Sequence, residues 1–268
     1  MNNLPYYIVE PKGPKVPILL SVPHSGTEFP KELKHLFKED KMNQPDDTDW
    51  FVHQLYEFAS EMGITLIHAK YSRWVVDLNR DPESKPLYND GRIITGLAPI
   101  TDFFGNAIYN DASYVPSKEE MNSRIQKYYE PYHNKIGELL SELKKSHKRV
   151  LLWDAHSIRK NVPTINPLPF PDLILGDNDE QSADQDLIDC TMLQLNKSSF
   201  EVKHNTPFKG GYITRSFGKP SEGFNALQLE MAKIRYMEDD ELVFCDERAN
   251  EMRLILKSVF NNLIERLG

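Results

Sequence analysis

Short, nearly unbroken apolar runs punctuate this chain and constrain its fold more than any other feature. Val16–Val22, Arg149–Trp153 and Phe224–Glu230 are each of strand length and carry few polar interruptions. Such runs suit strands covered on both faces, because a half-exposed strand would alternate polar and apolar residues. Ile64–His68, Arg73–Leu78, Asp172–Leu175, Phe200–His204 and Tyr212–Ser216 read as further strands. Between them the apolar spacing is helical. Asp49 is placed to cap a helix over Trp50–Met62, and Ser117-Lys-Glu-Glu120 is a capping box opening a helical region to about His147. Pro131 lies inside that region and predicts a kink or split. Ala183–Asn196 and Glu241–Leu267 complete the helical set. Strands alternating with helices predict an α/β layer architecture.

Length and charge narrow the functional classes. The 268 residues fit one large domain or two small ones at roughly 150 residues each. With no internal repeat and no Pro/Gly/Ser linker, residues 1–268 read as one domain. A formal charge of −8 and the absence of any long Lys/Arg run argue against nucleic-acid binding. Two cysteines, Cys190 and Cys245, cannot build a four-thiolate zinc site and read as free buried thiols. The N-terminus lacks a basic stretch followed by an apolar core, and no run approaches a membrane span. The expectation is a cytoplasmic chain with no membrane partner; oligomeric state is left open.

GxGxxG, the Walker P-loop, GxSxG and HExxH are all missing, which removes the commonest dinucleotide, nucleotide and hydrolase signatures. What remains is a set of polar residues at strand ends, where ligands bind in open α/β sheets. One apolar run leads into Pro23-His24-Ser25-Gly26, another into Asp154-Ala155-His156-Ser157. Between them in sequence, Asp46-Asp47-Thr48-Asp49 offers carboxylates at a predicted helix start. Two imidazoles and a carboxylate are the protein ligands of a common catalytic zinc site, whose fourth position is open to water. Asp47 and Asp49 are both eligible as the third ligand. Arg80, after Asn79, and Arg73 are cations suited to an anionic substrate group or to ion pairs with Asp77 and Asp81. In Lys209-Gly-Gly-Tyr-Ile-Thr-Arg215, Gly211 permits close backbone approach and Arg215 supplies another cation, read as lying on a strand. Glu230 ends an apolar run, in position to move a proton beside a metal.

Six segments taken in order carry a resemblance: Ser21-Val-Pro-His-Ser-Gly26, Asp47-Thr-Asp-Trp50, Ser72-Arg-Trp-Val-Val-Asp-Leu-Asn-Arg-Asp81, Asp154-Ala-His-Ser157, Pro207-Phe-Lys-Gly-Gly211 and Leu227-Gln-Leu-Glu230. Together they resemble the N-formylglutamate amidohydrolase family of histidine degradation. The resemblance implies a three-layer α/β/α fold of the zinc-carboxypeptidase-like (phosphorylase/hydrolase-like) kind, with a central mixed, mostly parallel sheet. It also implies one divalent ion, Zn2+ with Co2+ as a possible substitute, held by His24, Asp49 and His156. Glu230 would be general base and acid. Asn79-Arg80 would hold a substrate carboxylate, and Arg73 or Arg215 the second carboxylate of a small dianionic substrate. Position 51 is Phe, where many members are expected to carry His. The alternatives are an amidohydrolase or carboxypeptidase for other N-acyl amino acids, and a non-catalytic module binding an acidic metabolite.

Overall fold

A computed structural model describes residues 4–44, 46–83 and 96–268. Among them lie seven strands: β1 (Tyr6–Val9), β2 (Ile18–Val22), β3 (Thr65–Ala69), β4 (Val150–Ile158), β5 (Leu173–Gly176), β6 (Val202–His204) and β7 (Phe224–Ala232). They form one sheet in the order β1-β3-β2-β4-β7-β5-β6. β3, β2, β4 and β7 run parallel to their neighbours, as do β5 and β6, while β1 against β3 and β5 against β7 are antiparallel. The expected mixed, mostly parallel sheet is therefore present.

The helices are α1 (Glu39–Asn43), α2 (Val52–Leu55), α3 (Lys118–Arg124), α4 (Glu130–Lys144), α5 (Gln185–Leu195), α6 (Tyr212–Phe217) and α7 (Asp246–Leu267). They cover both faces of the sheet. On one, Leu151, Trp153, Leu227 and Leu229 pack with residues of α2, α5 and α7. On the other, Leu19, Val150, Leu152 and Ala226 pack with residues of α4 and α6. Successive strand residues point to opposite faces, so even-numbered positions of β4 and β7 all look toward α4 and α6. Those positions begin apolar and turn polar: Val150, Leu152, then Asp154 and His156; Ala226, then Gln228 and Glu230. Among the described residues, no helix is long and apolar enough to cross a membrane.

Several local expectations change. β1 was not anticipated. Arg73–Leu78 is not a strand; Ser72–Asn79 is buried, turn-rich backbone whose Trp74, Val75, Val76 and Leu78 join the core beneath α4. Tyr212–Ser216 is helical, not a strand, because Asn79 supplies acceptors for its first amides: Ile213 N–H donates to Asn79 Oδ1 at 2.8 Å. The Trp50–Met62 helix breaks into α2 and a 3-10 turn over Glu57–Met62. Phe51 precedes α2 in a left-handed conformation and packs on Phe244, and Asp49 does not cap it. Ser117 does cap α3, accepting from Glu120 N–H. Pro131 splits its helix as predicted, through a π-helical turn over Ile125–Tyr129. Pro cannot donate to the carbonyl four residues back and its ring crowds it, and a wider turn relieves both problems. Cys190 and Cys245 are free, the first buried and the second half-buried.

Candidate metal centre

The site grows from the polar ends of β2, β4 and β7. β4 does not stop at Trp153, where its apolar run ends, but continues through Ile158. His156 therefore sits inside a strand rather than after one. Asp154 and His156, two residues apart, share a face, and their register partners on β7 are Gln228 and Glu230. His24 lies two residues beyond β2. The backbone joins it to the third residue, since Asp49 N–H donates to the His24 carbonyl at 3.0 Å.

His24, Asp49 and His156 come together, all buried, with one ligand-type atom from each lying within 4.8 Å of the others. Both imidazoles turn Nδ1 toward the same oxygen, Asp49 Oδ2, at 3.7 Å for His24 and 3.0 Å for His156. Tetrahedral donors about 2.0–2.1 Å from zinc lie roughly 3.3 Å apart, so the observed spacings straddle that edge. Each Nε2 faces a fully buried carboxylate: Asp77 Oδ1 at 2.8 Å from His24 and Asp154 Oδ2 at 3.1 Å from His156. An Nε2–H donated outward leaves Nδ1 as the inward lone pair, the usual arrangement of metal-binding histidines. Donor set, spacing and outer carboxylates thus fit a four-coordinate divalent ion.

Asp47, the other eligible ligand, is turned away. Its Oδ2 accepts from the Trp74 indole at 2.9 Å and its Oδ1 from Phe103 N–H at 2.8 Å. It anchors the segment that carries Asp49. Arg159 pairs with Asp46, the Lys233 ammonium donates to the Asp46 carbonyl, and the Tyr236 hydroxyl donates to the Trp50 carbonyl.

The charges balance differently around each imidazole. Burial, reinforced by the Arg73 guanidinium, pushes His24 down to about 4 against the pull of Asp77. Burial opposes charge on His156 too, but Asp154 and Asp49 flank both ring nitrogens and raise it well above the ordinary value. Burial pushes Glu230 up to about 8; His156 and Arg73 oppose the rise, while Asp49 and Asp154 add to it. Glu230 remains half-buried, and its carboxylate makes no hydrogen bond with the described residues.

The predicted substrate residues divide into two groups. Asn79 is buried and its amide is committed to protein. Oδ1 takes Ile213 N–H, and Nδ2 lies 3.3 Å from Asp154 Oδ2 and 2.9 Å from His156 Nε2. The Asn79 amide, expected to face substrate, meets Asp154, His156 and α6 in this structure. Gly211 is a glycine for the same reason, because a Cβ there would come within 2.3 Å of the Asn79 amide. Arg73 is buried in an ion pair with Asp77 at 2.6 Å, under the Phe103 ring. Arg80 and Arg215 are half-buried, and Arg215 Nε donates to the Gly210 carbonyl at 2.9 Å. Arg215 sits on α6, not on the expected strand.

Sequence reasoning assigned no role to Asp154, Gln228 or Lys233 and saw Asp77 only as an ion-pair partner. Asp154 had a detectable signal, an acidic residue two positions before a histidine at a strand end. Lys233 had none, since its burial depends on the Asp46 carbonyl far away in sequence.

The comparisons with known proteins converge. Residues 16–237 match the family model described as N-formylglutamate amidohydrolase. N-formylglutamate deformylase of Pseudomonas aeruginosa is 37% identical over 257 residues, covering 94% of each chain. The Pseudomonas putida protein of the same name is 34% identical over 252 residues, covering 93% of each. A crystal structure of N-formylglutamate amidohydrolase from Ralstonia eutropha JMP134 superposes with a TM-score of 0.82 at 25% identity, covering 98% of both chains. A gene product of Agrobacterium tumefaciens shares the fold at a TM-score of 0.77 and 17% identity, over 98% of this chain and 96% of that one. With its strand-end residues gathered into one buried cluster and the match running nearly end to end, the chain belongs to the N-formylglutamate amidohydrolase family.

Proposed function

We propose that this protein hydrolyses N-formyl-L-glutamate to L-glutamate and formate with one divalent ion, zinc, held by His24, Asp49 and His156. The observation that carries this reading is the register of β4 and β7, which sets Glu230 beside His156 at the edge of the His/Asp/His cluster. The names of the relatives supply the substrate. A bound dication would supply Lewis acidity toward the formyl oxygen and make water a nucleophile near neutral pH.

The chain's own residues do the rest. Glu230, half-buried and with no competing hydrogen bond among the described residues, accepts a proton from the attacking water. It returns that proton to the amide nitrogen as the C–N bond breaks. A nearby dication would draw its proton affinity down from the value set by burial alone. Arg73, locked between Asp77 and the Phe103 ring, contributes fixed positive charge that offsets the local carboxylates. Half-buried Arg80 and Arg215 would receive the two substrate carboxylates. An acidic protein thus handles a dianion by concentrating positive charge locally. The same reading makes the enzyme a cytoplasmic one of histidine degradation.

A formate-release assay with added zinc or cobalt tests the proposal. N-formyl-L-glutamate should turn over, and N-acetyl-L-glutamate should be much slower. Equal turnover of both would replace the deformylase reading with a general N-acyl amidohydrolase. Glu230→Gln should keep its metal and lose at least about a hundredfold in kcat. Normal turnover would remove Glu230 from the mechanism.

A further inference from the structure

The buried segment Ser72–Asn79 carries Arg73, Asp77 and Asn79 and runs directly into Arg80, yet belongs to neither strand nor helix. Buried carbonyls outside secondary structure need donors from elsewhere. Three come from a single helical stretch. Arg124, fully buried, donates to the Val75 carbonyl at 3.1 Å. The His133 Nε2–H donates to the Leu78 carbonyl at 2.8 Å, and the Tyr129 hydroxyl to the Arg80 carbonyl at 2.8 Å. The rings of Tyr129 and His133 stack on each other at 4.1 Å and 14°, and Phe217 of α6 stacks on His133 in turn. The Tyr129 and His133 donors are therefore held in one orientation by packing.

The π-helical turn over Ile125–Tyr129 explains how one helix reaches all three carbonyls. In an α-helix, residues five apart diverge by about 140° around the axis, so Arg124 and Tyr129 would face different ways. A π turn closes its hydrogen bond from i to i+5 and brings such a pair nearly into line. Beyond it, His133 follows Tyr129 at the ordinary α spacing of four.

We infer that the π turn sets the helix in register with the Val75–Arg80 backbone, making Tyr129 and His133 positioning residues for substrate binding through Arg80 and the Asn79 network. This rests on the substrate reading given above for Arg80. Their hydrogen bonds to this segment go to backbone carbonyls, so they govern where the anion-binding group stands and leave the proton-transfer group Glu230 unaltered.

Tyr129→Phe removes one hydroxyl and keeps the stacked ring. Tyr132→Phe makes the same change three residues on, where the hydroxyl bonds Ser21 and the Ile67 carbonyl instead. In zinc-loaded enzyme, Tyr129→Phe should raise KM for N-formyl-L-glutamate about tenfold with kcat within about twofold. Its amide exchange at Asp77, Asn79 and Arg80 should quicken at least about tenfold, with metal content unchanged. Tyr132→Phe should leave both readouts at wild-type values, and His133→Gln, which keeps a donor, should fall between the two. Unchanged exchange at 77–80 in Tyr129→Phe overturns the clasp. Faster exchange with unchanged KM overturns its role in substrate binding, as does an equal KM rise in both tyrosine variants. If the wild-type protein does not turn over N-formyl-L-glutamate, the substrate reading falls while the exchange comparison still decides the clasp.

Discussion

His24 and His156 face the same oxygen of Asp49 but are held there by opposite means. His24 stands on a loop just past β2, and its orientation depends on Asp77, which is itself tied to Arg73 at 2.6 Å. His156 stands inside β4, where strand register fixes it between Asp49 and Asp154, with the Asn79 amide behind. One imidazole belongs to a charge-balanced cluster and is pushed down to about 4. The other lies between two buried carboxylates, Asp154 and Asp49, which raise it against burial. A symmetrical pair of donors can therefore rest on unsymmetrical support, and the two sides should fail differently.

The largest effects should come from the donors themselves. His24→Ala and His156→Ala should each lose metal and nearly all activity. They should separate in stability, because Asp77 retains Arg73 when His24 is gone, whereas Asp154 and Asp49 lose their shared partner when His156 is gone. Breaking a buried charge pair from one side costs about 3–5 kcal/mol. Urea unfolding should place His156→Ala well below His24→Ala, and equal midpoints would break the comparison.

Next come the outer carboxylates. Asp77→Asn and Asp154→Asn should each weaken metal binding by about 10–100-fold in chelator competition. Asp77→Asn should lose more stability of the two, since it leaves the buried Arg73 without its closest counter-charge. The reverse order of stabilities would show that Asp154 carries the heavier load.

The smallest effect belongs to the amide behind His156. Gly211→Ala forces a Cβ against Asn79, which must shift or strain its neighbours at about 1–3 kcal/mol. A several-fold loss of metal affinity should accompany the lower unfolding midpoint. An unchanged affinity would mean that Asn79 supports the fold and not His156.

Much of this arrangement was legible in sequence because it follows from local rules. Apolar runs at Val16–Val22, Arg149–Trp153 and Phe224–Glu230 announced buried parallel strands, and the polar residues that follow or end them marked the sheet edge where ligands gather. The Ser117 cap and the break at Pro131 were equally local. The misreadings share one cause. Arg73–Leu78 and Tyr212–Ser216 have the composition of strands, yet distant partners decide their backbones. Arg124 and His133 supply donors to the first, Tyr129 to the Arg80 carbonyl just beyond it, and Asn79 supplies acceptors to the second. β4 outran its apolar run because Asp154 and His156 find polar partners on the same face, which composition alone does not reveal.

Sequence by itself determined the layer architecture and the short set of residues able to do chemistry, since side-chain periodicity and donor type are properties of the chain. Only the tertiary structure chose Asp49 over Asp47 for the buried cluster, brought the Asn79 amide against Asp154 and His156 and set Glu230 beside His156. Those choices depend on register and on hydrogen bonds between residues far apart in sequence, where the cost of a buried polar group left unpaired selects one arrangement among several that the chain itself permits.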